Sequence, residues 1–187
     1  MAKAIIFDMD GTLFQTDRIL EISLNDSFQT LKDRKLWEGN TPIEEYRRIM
    51  GVPLSVVWET LLPKHSQVNR EWANDYFHER LIENIRQGKG ALYPNVKEIF
   101  TFIKEQGFLI FIASNGIPIY LSEIVSYYGL EEWITEVFSI QQIESKDKAL
   151  LVKEIINKYN VTSGAVVGDR LSDIQAAKNN NLLSVGC

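Results

Sequence analysis

The chain has 187 residues, 45% of them hydrophobic and 24% charged, a make-up that suits a folded globular protein and argues against disorder. Its 25 acidic and 20 basic residues leave a net charge of −5, which disfavours a surface built to grip nucleic acid, though not a local pocket for one small anion. One cysteine, Cys187, excludes an intrachain disulfide, and two histidines exclude a Cys/His zinc site.

The longest strongly apolar stretch, Phe108 to Ala113, falls far short of the roughly 20 residues a spanning helix needs. The N-terminal apolar run is cut by Asp8 and Asp10, so it does not read as a secretory segment. The expectation is a cytoplasmic protein, monomeric, with neither membrane nor nucleic acid as partner.

Ala4 to Phe7 is a short continuous apolar run, the pattern of a strand buried on both faces of a parallel sheet. Asp8-Met9-Asp10-Gly11-Thr12 ends it with a turn signal. Residues 15–93 then show helical stripes and no convincing strand. Leu20, Leu24, Phe28 and Leu31 form one stripe; Trp72, Tyr76, Glu79 and Ile82 form another. Trp37, Trp58 and Trp72 lie here and are expected in the core of a helix bundle.

From Pro94 onward strand and helix alternate. Val96, Ile99, Phe100 and Ile103 make a helical stripe between Pro94 and Gly107. Apolar strand runs follow at Leu109–Ala113, Glu136–Ile140, Ala165–Val167 and Leu182–Val185. Leu151, Val152, Ile155, Ile156 and Tyr159 stripe a second helix, and Ser172 to Lys178 reads as a third with Ser172 as its N-cap. The fold expected is α/β, a doubly wound parallel sheet with an inserted α-helical lobe. The division is residues 1–14 and 94–187 as core and 15–93 as insertion.

Ligands of open α/β sheets bind at the carboxyl ends of the strands. Two aspartates two residues apart at such an end are costly, because like charges repel and burial disfavours ionisation. A hard divalent cation would offset that cost. Asp-x-Asp-Gly-Thr arises by chance in a chain of this length with odds on the order of 1 in 1,000. An EF-hand starting at Asp8 fails, since its glycine and terminal glutamate positions hold Leu13 and Ile19; a P-loop fails, since Glu83 stands where its first glycine should be. The second strand ends in Ser114-Asn115-Gly116, a hydroxyl followed by a turn of backbone N–H groups. The fourth ends in Gly168-Asp169, with Asp173 four residues on. Lys146 and Lys148 open the preceding helix, where a lysine opposes the helix dipole.

In this order the four clusters resemble the haloacid dehalogenase-like superfamily over essentially the whole chain, with residues 15–93 similar to its helical class I cap. The nearest groups are phosphoglycolate-phosphatase-like and β-phosphoglucomutase-like. The resemblance implies a Rossmann-like core and a Mg²⁺-dependent phosphatase acting on a small phosphorylated metabolite. It implies Asp8 as nucleophile, forming an aspartyl-phosphate, and Asp10 as general acid and base. It implies Ser114, the Asn115 backbone N–H and Lys148 (alternatively Lys146) as phosphate-binding groups. It implies Asp8, Asp10 (through its carbonyl), Asp169 and Asp173 as the metal site, Asp173 through the metal's waters.

Charge agrees with a dication: four carboxylates meet a phosphate monoester carrying about −1.5 to −2, with one lysine to oppose them. A phosphomutase would use the same core residues. A dehalogenase would need neither Asp10 nor the metal, and a non-catalytic phosphate-binding module would not need an acid at Asp10. Arg47, Arg48, Lys64 and His65 are candidate substrate contacts from the insertion, most of them expected to be solvated surface charges, and Met50-Gly51-Val52-Pro53 resembles the family's cap loop that faces the core. Hinges are expected around 14–17 and 88–93, where glycines relax the backbone. In this family the chain usually continues past the fifth strand, so the stop at Cys187 implies either a truncated chain or one sheet face less covered than usual.

Overall fold

The structure is a computed structural model that describes residues 2–49 and 54–187. The Met50–Pro53 turn lies outside the described residues. The chain divides into two compact units, Met1–Thr16 with Gly90–Cys187, and Asp17–Lys89.

The first unit holds a five-stranded parallel sheet: β1 (Ala2–Phe7), β2 (Leu109–Ser114), β3 (Glu136–Ser139), β4 (Val161–Gly168) and β5 (Leu183–Gly186), in the spatial order β3-β2-β1-β4-β5. The first strand in the chain is thus the central strand of the sheet. Helices α5 (Val96–Glu105), α6 (Pro118–Tyr127), α7 (Lys148–Tyr159) and α8 (Leu171–Asn179) connect the later strands. Pleating sends alternate β1 residues to opposite faces. Ala4 and Ile6 join one core with Leu151, Val152 and Ile155 of α7 and Ala176 and Ala177 of α8. Phe7 meets Phe100 of α5 on the other face, with ring centroids 5.3 Å apart. Because both faces are covered, β1 reads as a continuous apolar run rather than an alternating one.

Two close backbone approaches fix glycine. A Cβ on Gly164 of β4 would stand 1.8 Å from the Ala4 carbonyl oxygen, which allows β1 and β4 to lie side by side there. Gly11, at φ +78, turns the chain just after β1. That turn winds around one acceptor, the Met9 carbonyl, which takes the N–H groups of Leu13 at 3.0 Å and Phe14 at 2.9 Å.

The second unit contains α1 (Asp17–Asp33), α2 (Ile43–Ile49), α3 (Leu54–Leu61) and α4 (Gln67–Arg86). The Leu20, Leu24, Phe28, Leu31 stripe of α1 is buried as expected. On α4 the buried stripe is Ala73, Phe77, Leu81 and Ile85, shifted by one to three positions from the expected Trp72, Tyr76, Glu79, Ile82 stripe. The displaced face keeps its apolar residues half-buried, with Trp72 stacked on Tyr76 and roofed by Arg34. Of the three tryptophans in this unit only Trp58 is fully buried, and its indole N–H donates to Asn74 Oδ1 at 3.2 Å.

The chain leaves and re-enters the first unit through a short backbone-paired ribbon. The Gln15 N–H donates to the Ala91 carbonyl at 2.8 Å and the Tyr93 N–H to the Leu13 carbonyl at 2.9 Å. These bonds tie together the two crossings around which the hinges are expected. At the far edge, β5 is exposed along its whole length, with Leu183 and Val185 open to solvent. Among the described residues no helix is long and apolar enough to cross a membrane.

Candidate active site

All five strands run parallel, so the residues following β1, β2, β3 and β4 emerge at one sheet edge. Met9 is fully buried, and the residues either side of it, Asp8 and Asp10, are placed at this edge. The Asp8 N–H donates to the Val167 carbonyl at 2.9 Å, which extends the β1–β4 ladder by one bond and holds Asp8 beside the end of β4.

One carboxylate oxygen each from Asp8, Asp169 and Asp173 lies within 4.8 Å of the others. Asp8 and Asp173 are buried, whereas Asp169 faces solvent. Lys148 reaches the same place from the first residue of α7: its Nζ is 2.9 Å from Asp8 Oδ1 and also contacts Asp173 Oδ1. The lysine sits unfavourably at a helix N-terminus, and Asp147 offsets this by capping α7, its carboxylate accepting from the Ala149 N–H at 2.8 Å. Burial, opposed by Lys148 and reinforced by Asp173, raises the Asp8 carboxyl to about 6. Burial also acts to lower the Lys148 ammonium, but Asp8 and Asp173 outweigh it and hold the group above its ordinary value.

Asp10 sits in different surroundings. Its Oδ1 accepts from the Thr16 hydroxyl and from the Tyr120 hydroxyl, each at 2.6 Å. Burial raises this carboxyl, and the two hydroxyl donors lower it by a smaller amount.

The turn after β2 is built on Ser114, whose Oγ accepts the Gly116 N–H at 3.1 Å. Ser139, at the end of β3, donates from its hydroxyl to the Gly116 carbonyl at 2.6 Å. Ser114 is buried and Asn115 is exposed at the turn. After β4, the Arg170 N–H donates to Asp173 Oδ2 at 3.0 Å. Arg170 is the N-cap residue of α8, so the helix begins before Ser172, and the expected cap at Ser172 is corrected to Arg170. The reason is Asp173: at the third helical position its carboxylate reaches back to the N–H of Arg170, which closes the first turn two residues before Ser172.

A family model described as haloacid dehalogenase-like hydrolase matches residues 5–187. The chain belongs to that family. Among curated proteins it is 25% identical to a phosphoglycolate phosphatase of Vibrio parahaemolyticus, over 98% of this chain and 82% of that one. It is likewise 25% identical to a phosphoglycolate phosphatase of Pasteurella multocida, over 98% and 84%. Similar solved structures include a predicted phosphoglycolate phosphatase of Haemophilus somnus, with TM-score 0.80 at 21% identity over 99% of this chain and 84% of that one. CbbY of Rhodobacter sphaeroides in complex with phosphate has TM-score 0.77 at 19% identity over 98% and 85%. These two likenesses concern the fold.

For a haloacid dehalogenase-like hydrolase the donor set is informative. Asp8, Asp169 and Asp173 offer hard oxygen ligands and no soft ones, the chemistry of a Mg²⁺-type cation. The backbone makes room for them. A Cβ on Gly11 would stand 2.5 Å from Asp169 Oδ2, and one on Gly168 would stand 2.2 Å from Asp173 Oδ2. These residues fit a divalent cation.

The sequence-predicted residues divide as follows. Asp8, Asp169, Asp173 and Lys148 come together; the Asp10 carboxylate stands apart from the three-acid group, with Thr16 and Tyr120. Lys146 is exposed in the loop before α7. In the helical unit Arg47 pairs with Glu21 and Glu44, Arg48 pairs with Glu45 at 2.7 Å, and His65 Nε2 lies 2.6 Å from the Leu36 carbonyl, while Lys64 is exposed. The sequence reading missed Thr16, Tyr120 and Ser139. Their hydroxyls belong to no motif, and Tyr120 lies 110 residues from the aspartate it serves.

Proposed function

We propose that this protein is a Mg²⁺-dependent phosphatase that hydrolyses a small phosphate monoester through an aspartyl-phosphate on Asp8. The observation that carries this reading is the separation of two neighbouring aspartates into unlike environments. Asp8 faces Lys148 among carboxylates, and Asp10 faces hydroxyl donors in a site that favours its neutral form. Such a division supports Asp8 as nucleophile and Asp10 as acid.

In this reading an Asp8 carboxylate oxygen attacks phosphorus and the ester P–O bond breaks. The leaving oxygen takes the proton from Asp10. Water then attacks the phosphoryl group on Asp8 and gives its proton back to Asp10, so inorganic phosphate leaves and both aspartates return to their starting states. Lys148 orients Asp8 and offsets phosphoryl charge, while Ser114 and the Asn115 N–H hold phosphoryl oxygens. A Mg²⁺ held by Asp8, the Asp10 carbonyl and Asp169, with Asp173 anchoring its waters, would neutralise the charge that otherwise repels the substrate. The helical unit acts as the cap that sets the choice of ester, since the core groups address only the phosphoryl group.

The relatives' names make phosphoglycolate the first ester to test. Phosphate release is measured across a panel of phosphorylated metabolites with Mg²⁺ and again with excess chelator. Release that stops on chelation and returns with Mg²⁺ is expected. Full activity in chelator overturns the metal assignment. Transfer of phosphate within a sugar phosphate, without release, would make the protein a phosphomutase instead.

A further inference from the structure

Both hydrogen bonds described for the Asp10 carboxyl fall on the same oxygen, Oδ1. The acceptor capacity of that oxygen is spent on two O–H donors at 2.6 Å, so a proton on the neutral acid belongs on Oδ2. Rotating the carboxyl to exchange its oxygens would break both bonds. One donor, Thr16, is the last residue before the helical unit. The other, Tyr120, belongs to the third residue position of α6 and is nearly fully buried.

The ring of Tyr120 packs on the turn that follows β2. A Cβ on Gly116 would stand 3.1 Å from Tyr120 Cδ1 and 2.9 Å from Leu121 Cδ2. The same Gly116 is tied by its N–H to Ser114 and by its carbonyl to Ser139. The side chain that fixes Asp10 is therefore packed on the segment proposed to hold the phosphoryl group.

We infer that Tyr120 is a positioning residue that orients the Asp10 carboxyl so that Oδ2 carries the proton delivered to the leaving oxygen. This rests on the acid role proposed above for Asp10. In the first step an Asp8 carboxylate oxygen bonds to phosphorus as the ester P–O bond breaks, the proton leaves Asp10 Oδ2 for the ester oxygen, and Oδ1 keeps its two donors throughout.

The test is Tyr120→Phe, which removes the hydroxyl and keeps the ring against Gly116; circular dichroism and Tm confirm the fold. kcat/KM is measured over esters ranging from nitrophenyl to alkyl phosphates, because it reports the steps up to and including transfer to Asp8. General acid catalysis contributes about 10²–10⁴-fold, and loss of one of two anchors should cost alkyl esters about 10-fold or more while nitrophenyl phosphate, whose leaving group needs no proton, changes by under about 3-fold. In an Asp10→Asn background the same substitution should add no leaving-group dependence. A uniform fall across the series, no fall at all, or full additivity with Asp10→Asn overturns the role of Tyr120. Failure of the unsubstituted protein to hydrolyse any ester would instead overturn the phosphatase reading.

Discussion

Asp8 and Asp10 are two residues apart, yet the structure gives them separate companies, and separate substitutions should expose the difference. Asp8→Asn should abolish turnover and leave no phosphoenzyme to trap. Asp10→Asn should lose about 10²–10⁴-fold, most severely for poor leaving groups. Trapping with hydroxylamine checks both; a trapped species in the Asp8 variant would remove Asp8 as nucleophile. The same residue shapes stability. The folded-state value of about 6 lies above the ordinary 3.8, so ionising Asp8 opposes folding. That opposition is absent below about pH 4, grows through about pH 6 and is complete above it. In chelator at neutral pH, Asp8→Asn should therefore stabilise the protein, by a few kcal/mol at most, since each pKa unit is worth about 1.4 kcal/mol. Denaturant melts at pH 4 and pH 8 test this: a gain at pH 8 that vanishes at pH 4 is expected, and an equal gain at both is not. At this scale motif spacing conveyed which carboxylates share a sheet edge. It conveyed nothing of Thr16 and Tyr120, because a hydroxyl that reaches an aspartate through tertiary packing has no fixed sequence offset from it.

At the scale of elements, the junction of β4 and α8 shows how closely backbone and site are joined. Gly168 leaves the space that Asp173 occupies, and Asp173 in turn contacts Lys148 and accepts from the Arg170 N–H. Gly168→Ala should displace that carboxylate, costing about 1–3 kcal/mol by overpacking and lowering kcat. Gly186→Ala, on β5 where nothing lies within 4 Å of a new Cβ, should stay within about 0.5 kcal/mol and leave kcat unchanged. Thermal melts and steady-state rates on the two variants check this pair. Strands buried on both faces were legible as apolar runs, with ends uncertain by a few residues. β4 begins at Val161, four residues before its apolar run, because Ser163 pairs with Lys3 while exposed and polar, and Thr162, also exposed, falls at the register shift beside it. Helix α6 (Pro118–Tyr127) was not read at all: its exposed face includes Ile119 and Tyr127, which blurs the contrast that a helical stripe needs. On α4 the mixture of Trp72, Tyr76 and Ile82 on one side with Ala73, Phe77 and Leu81 on the next left two stripes in competition, and only packing against α1 chose between them.

For the molecule as a whole, the position of β1 has a consequence in time rather than in space. It is the first of the five strands to be made and the central strand of the sheet, yet Ala4 pairs with Leu109 on one side and with Gly164 on the other. Closing loops of that length is entropically slow, and it must precede any reward from the ladder. The helices of Asp17–Lys89, by contrast, contact partners within their own stretch of chain, with α1 against α4. Refolding should accordingly proceed from the middle of the sequence outward, and pulsed hydrogen exchange should find amides of α1 and α4 protected before those of β1. Simultaneous protection would argue for a single cooperative step. If the order holds, a ribosome-bound chain would carry the apolar β1 segment unpaired until β2 has emerged, and with one edge still open until β4 has followed, so this short run, silent in the finished protein, would be exposed to chaperone capture and misassembly while synthesis is under way.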